Sequence, residues 1–327
     1  MIQSMSLPLY SGTLGEYRDW ADLQQEIQDL GCDGIEAIWS GEEVPEDIPA
    51  GLVQGYHLIF FHDWVDLWSG NWSALKEKYG SLAQATAIYG GLSRETLLRQ
   101  YREDLERAER LGAQYVVFHV SDVSMEECFT YRFSHSNDQV ITAALELINE
   151  LLTGKQWPFV FLVENQWWPG FTFTEPGQTQ RLLDGIHYAN KGILLDTGHL
   201  MNCCAELQNQ AEGAAYISAI LDRHGSLCSM IRGIHFHQSL SGSYVKSHTG
   251  RLPKAWPASF EERFAVNYAH VLQIDQHQPW TDAAILPVLE RIKPAWLTHE
   301  LTSRTREKRA SAIAVQQALL QKKESAP

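Results

Sequence analysis

Short apolar runs alternate with longer stretches of mixed polarity along almost the whole chain. The runs are Leu7–Ser11, Asp33–Trp39, Val53–Phe61, Ala113–Asp122, Phe159–Gln166, Gly192–Leu200, Ile231–Ser239 and Ala295–Thr302. Most are nearly continuous in Val, Ile, Leu and Phe, as expected of parallel strands buried on both faces. Helical segments separate them: Glu16–Leu30, Arg94–Leu111, Asp138–Leu152, Thr179–Ala189, Ala205–His224, Ala283–Ile292 and Ser303–Gln321. The first three run into Gly31, Gly112 and Gly154, which can cap a helix. Ser93 is placed as an N-cap, with Glu95 and Thr96 behind it. Helix, glycine and strand in repeated succession predict a (β/α)8 TIM barrel, one domain over residues 1–327. A doubly wound sheet uses the same units, and the chemistry at the strand ends argues against it.

Two connections are much longer than the others, giving a barrel with long loops after strands three and seven. His62–Leu92 carries Trp64, Trp68, Trp72, Tyr79 and Tyr89, and Leu240–Asp282 carries Tyr244, Trp256, Phe260, Phe264, Tyr268 and Trp280. On a barrel both leave the C-terminal face, where active sites sit, and long loops are commonly functional or mobile. The aromatics fit a lid over substrate. They fit equally a subunit interface in a homo-oligomer, or a small satellite core. The polar tail Lys322–Pro327 is expected to fray.

Charge narrows the partners. With 26 Lys+Arg against 40 Asp+Glu the formal charge is −14, so nucleic acid is disfavoured. No apolar run approaches the roughly 20 residues that span a bilayer. The start, MIQSMSLPLYSG, lacks the regions of a signal peptide. A cytoplasmic protein without a membrane partner is expected. Cys32, Cys128, Cys203, Cys204 and Cys228 form no CxxC pair and read as reduced structural thiols. No Walker, GxGxxG or GxSxG pattern supports nucleotide binding or a serine hydrolase.

The chemistry-bearing residues fall at the downstream ends of six consecutive runs. GYHLIFF holds His57, YVVFHVSD holds His119 and Asp122, and FVFLVENQ holds Glu164. ILLDTGHL holds Asp196 and His199, IRGIHFHQS holds His235 and His237, and AWLTHEL holds His299 and Glu300. A carboxylate in such a run is costly to bury unless it is paired or bound to a metal. Side chains alternate across a strand, so His235 and His237 both face the barrel interior. Oxygen and imidazole donors without thiolate suit a divalent ion such as Mn, Mg, Co or Zn.

LVEN at Leu162–Asn165, LLDTGHLMN at Leu194–Asn202 and GIHFH at Gly233–His237 resemble the xylose isomerase-like TIM barrels. That superfamily includes endonuclease IV, D-tagatose 3-epimerase and hydroxypyruvate isomerase, and the resemblance runs from DGIEAI at Asp33 to the last strand. The epimerase branch implies a metal held by Glu164, Asp196, His237 and Glu300, with Glu164 and Glu300 also acting as catalytic acid and base. His57, His119, His199 and His235 then contact substrate or a second metal. Glu36 matches a strand-two carboxylate with a positioning or barrel-bottom role. The activity so implied is isomerisation or epimerisation of a small carbohydrate or sugar phosphate, by proton transfer through a metal-stabilised enediolate. Loss of a β-hydroxyl instead gives a dehydratase.

The endonuclease IV branch implies a different outcome, phosphodiester hydrolysis by three zinc ions. His57, His119, Glu164, Asp196, His199, His237 and Glu300 match ligand positions of that pattern. The branch also places Asn-Asp after the seventh-strand histidine and an Asp-x-His pair further on. Here Gln238 and Ser239 follow, and Lys246 stands two residues before His248. A third metal is therefore not expected.

Overall fold

The computed structural model describes residues 1–39, 41–301, 303 and 305–324. Thr302 of the eighth run, Arg304 of the last helical segment and Ser325–Pro327 of the tail lie outside the described residues. The strands are β1 (Ile2–Leu9), β2 (Gly34–Trp39), β3 (Val53–His57), β4 (Tyr115–His119), β5 (Val160–Glu164), β6 (Lys191–Asp196), β7 (Ile231–His235) and β8 (Trp296–His299). All pair in parallel with their sequence neighbours, and β8 returns to β1 to close the barrel. The expected (β/α)8 architecture is observed.

Several boundaries move. β1 begins at Ile2, upstream of the expected run, because Ile2 pairs with Trp296 and Ser4 with Gly34. Its residues alternate between buried and partly buried, so the strand lacks a continuous apolar signature. The sixth apolar run extends to Leu200, but β6 stops at Asp196. There the carboxylate accepts a hydrogen bond from the His199 backbone N–H at 2.6 Å and starts the helix Thr197–Asn202. Ser93 caps its helix as expected, accepting from the Thr96 N–H.

The two long connections are helical rather than loops. The first forms helices Val65–Ser69, Trp72–Tyr79 and Leu82–Tyr89, and the second Gly242–His248 and Phe260–Ile274. Asn71, Ser81 and Ser259 cap three of these helices, a local signal that an apolar-run reading passes over. Trp64, Trp68, Tyr89 and Trp280 are buried in the main core. Ile274 joins Val123, Cys128 and Trp168 in a satellite core, against which Tyr244 packs. Phe264 and Tyr268 stay exposed. The five cysteines are free. No helix among the described residues is long and apolar enough to cross a membrane.

Inside the barrel, Tyr115, Val117, Leu162, Leu194 and Trp296 make a separate apolar layer. Gly55 on β3 makes room for it, since a Cβ there would lie 2.1 Å from the Tyr115 ring. This layer is the floor of the site. Because side chains alternate, the next inward positions are His119 above Val117, Glu164 above Leu162 and Asp196 above Leu194.

Candidate metal centre

The inward positions at the tops of β3 to β8 converge. Three groups of ligand-type atoms form, each within 4.8 Å of one another: His57, His119 and Glu164; Glu164, Asp196, His235 and Glu300; and His199, His237, Asp275 and His277. Glu164 belongs to two groups. Its Oε2 lies 3.0 Å from His119 Nε2 and 3.5 Å from His57 Nε2. Its Oε1 lies 3.0 Å from His199 Nδ1 and 3.4 Å from His235 Nδ1. Asp196 joins the other two groups, with Oδ2 2.8 Å from His237 Nε2 and 3.6 Å from His235 Nδ1. The eight residues that the resemblance implies as metal, acid-base or substrate contacts meet here. The four-membered group built on Glu164 contains His235 where the resemblance places His237, and His237 Nε2 stands 3.8 Å from Glu300 Oε2.

Two members escape the sequence reading. Asp275 Oδ2 lies 3.1 Å from His199 Nε2 and 2.5 Å from His277 Nε2, and the His277 ring stacks on His237 at 4.2 Å. Asp275-Gln276-His277 is thus an Asp-x-His pair within this cluster, and the expectation that the chain lacks one is corrected. Lys246 and His248 are not that pair: Lys246 pairs with Glu206, and His248 stacks on Tyr244. The helix Phe260–Ile274 separates Asp275 from β7 in sequence, and the chain comes back at its end. Gln238 and Gln278 exchange backbone hydrogen bonds of 2.8 and 3.0 Å, which sew the returning segment to the end of β7. His277 adopts a left-handed φ of 45°, unusual for a residue with a Cβ. The signal is present in the sequence as Asp-Gln-His; spacing alone does not reach it.

The ring orientations fit metal ligands. His57 Nδ1 donates to the Leu58 carbonyl at 2.9 Å and His277 Nδ1 to the Glu300 carbonyl at 3.1 Å, which turns each Nε2 inward. His235 is held from the opposite nitrogen, Nε2 lying 2.9 Å from the buried Glu36 carboxylate, so Nδ1 faces the cluster. Glu36 also accepts from Tyr115 at 2.7 Å and Thr298 at 2.9 Å. Outer partners of this kind set tautomer and aim in metal sites. Both oxygens of Glu164, Oε2 of Glu300 and Nδ1 of His235 are buried with no aligned hydrogen-bond partner, despite these short separations. Lone pairs aimed at shared points rather than at each other are what cations would satisfy. The donor set fits divalent ions.

Charge balance says the same. Burial opposes ionisation of Glu164, yet His119 and His235 hold its carboxyl well below the usual range. Burial opposes protonation of His199, and Asp196 and Asp275 override it, raising the ring well above its ordinary value. His277 is lifted to about 9 by Asp275 against the same burial. Protons on imidazoles thus offset the carboxylates, and bound cations would replace them.

Other candidates lie elsewhere. Asp122 accepts from the backbone N–H groups of Trp64 and Val65 and pairs with His135, so it anchors the connection after β3. His299 turns away from the centre to Gln316 and Gln3. Above the centre opens a cavity of about 340 Å³ that reaches His57, His119, His199, Asp275, His277 and Glu300. Trp167 lines it and packs on His199 with ring centroids 4.9 Å apart, while Trp168 is buried.

A comparison with curated proteins finds no match. Among solved structures, endonuclease IV from Thermus thermophilus is similar, with TM-score 0.56, 16% identity, and coverage of 98% of this chain and 100% of that one. Mannonate dehydratase from Streptococcus suis serotype 2 aligns with TM-score 0.52 and 13% identity over 100% of this chain and 96% of that one. An L-ribulose 3-epimerase aligns with TM-score 0.49 and 13% identity over 100% and 99%. At these identities the likenesses concern the fold. The sequence itself matches the xylose isomerase-like TIM barrel family over residues 24–320, and the chain belongs to that family.

Proposed function

We propose that the chain is a divalent-metal-dependent hydrolase of a small phosphoester with three adjacent cation positions. The observation that carries this reading is the convergence of ten ligand-type side chains, Asp275 and His277 among them, in three groups. One ion uses about four to six protein and solvent donors, so a single cation leaves most of these side chains without a role. Cations bound there would polarise a phosphoryl oxygen and clamp the attacking and leaving oxygens of a displacement.

The chain's residues define the rest. His57, His119 and Glu164 would hold one cation, Glu164, Asp196, Glu300 and His235 or His237 a second, and His199, Asp275 and His277 a third. No Lys or Arg is among the described residues lining the cavity, so side-chain cations do not meet a phosphate there. The net charge of −14 and a cavity of about 340 Å³ favour a small molecule over nucleic acid. The likeness to endonuclease IV is compatible with this chemistry and does not establish it.

A second reading, the sugar isomerase or epimerase, has its own support. Glu164 and Glu300 approach His235 Nδ1 from different strands, at 3.4 and 2.9 Å. Around a single ion, one glutamate could remove a proton beside a ketose carbonyl and the other return it. The discriminating experiment incubates metal-replete protein with bis(4-nitrophenyl) phosphate and, separately, with ketoses in deuterated water. Release of 4-nitrophenol, lost in Glu164→Gln, supports the hydrolase. Deuterium entering the sugar without phosphoester cleavage overturns it in favour of the isomerase.

A further inference from the structure

A second cavity, about 240 Å³, adjoins the one above the metal centre and shares Phe60, Phe61, His62, Val123 and Phe264 with it. Its remaining walls include Tyr79, Ile88, Tyr89, Trp256 and Phe260, so it lies between the connection after β3 and the helix Phe260–Ile274. Rings lead to it stepwise from the candidate ligands. Phe60 stacks on His119 at 4.7 Å, His62 packs edge-on against Phe60 at 5.1 Å, and Phe264 meets His62 at 6.5 Å. Phe60 and Phe264 remain 40% and 45% exposed, an unusual amount of bare aromatic surface at the mouth of one site.

The chemistry of the walls selects the occupant. Lys78 is taken up by Asp63 at 2.8 Å and Asp66 at 2.6 Å. Tyr79 and Tyr89 bond each other at 2.8 Å, and Tyr89 also bonds the Asp63 carbonyl. Arg263 donates to the Pro257 carbonyl at 2.8 Å. A sugar ring would find Lys78, Tyr79 and Tyr89 already engaged, and most of its hydroxyls would be desolvated without return. An aromatic ring needs none of them. Apolar cavities of about 150 Å³ accept a benzene ring.

We propose that this cavity is a substrate subsite for an aromatic ring, so that the molecule processed at the metal centre is an aryl ester whose ester end faces His119. The substrate class rests on the hydrolase reading; the ring site itself does not.

Isothermal titration of metal-replete protein with phenylphosphonate and methylphosphonate, neither of which turns over, reads the ring's contribution directly. Phenylphosphonate should bind about tenfold or more tightly, and Phe264→Ala should bring the two affinities to within about threefold. Phenol, titrated by fluorescence quenching into metal-free wild type and Phe264→Ala, reads the ring site without the phosphoryl group. Equal affinity for the two phosphonates overturns the subsite and leaves the hydrolase reading standing. Binding of neither phosphonate, with phenol bound by wild type and lost in Phe264→Ala, overturns the phosphoester reading and keeps the ring site. Binding of nothing overturns both.

Discussion

His235 Nε2 lies 2.9 Å from Oε1 of Glu36, and both side chains are fully buried. That contact fixes the ring from Nε2, so Nδ1 is presented to Glu300, 2.9 Å away, and to Glu164. Glu36 therefore aims a ring. The glutamine variant, with its amide NH2 able to face Nε2, is expected to bind Zn²⁺ about 10- to 100-fold more weakly in a chelator competition. Unchanged affinity in a folded Glu36→Gln protein would count against the positioning role.

Gly198 sits beneath the His237 ring, where a Cβ would lie 2.1 Å from Cε1 and 2.3 Å from Nδ1. Gly198→Ala must displace that ring. A stability loss of roughly 1–3 kcal/mol is expected from overpacking, together with weaker metal binding. A melting curve and a chelator titration on the same sample check both. Normal values for the pair would mean that His237 is free to move.

Away from the centre, His135 is bonded to Asp122 at 2.9 Å and lies 3.4 Å from Asp66. Those two carboxylates raise its ring to about 10. A base raised on folding stabilises fully below its unfolded value of about 6.5 and loses that contribution as pH climbs through the folded value. The unfolding free energy of wild type, read from denaturant titrations, should fall between pH 7 and 10 by an amount on the order of 1–3 kcal/mol, and His135→Gln should remove most of that slope. Parallel pH profiles would show that the pair contributes nothing.

The barrel is legible because its strands are short apolar runs ending in ligand-type residues, and because alternation fixes which of those residues point inward. His119, Glu164, Asp196 and His235 follow from that rule alone. β1 is placed too late because Gln3, Ser4 and Ser6 break its apolar character. The helices after β3 and β7 pass for loops when their caps at Asn71, Ser81 and Ser259 are not weighed. Asp275 and His277 escape for a related reason. No strand carries them, and the left-handed turn at His277 and the Gln238–Gln278 bonds that place them exist only in three dimensions. His299 misleads in the opposite direction: it ends a strand as the others do, yet alternation turns it outward to Gln316.

Asp275 is the sharpest test of the ligand set, because it belongs to one group only. Asp275→Asn is expected to keep the fold and lose one bound cation, with phosphoester turnover reduced at least about 100-fold, as for loss of one electrostatic stabiliser. Retention of the full cation count in this variant would remove Asp275 from the set.

Elemental analysis of protein purified without chelator, scored as divalent cations per chain, bears most directly on the central claim. Three per chain, falling to two in Asp275→Asn, is the expected result. A saturated value of one per chain, unmoved by Asp275→Asn, would contradict it and leave the single-ion isomerase as the better reading.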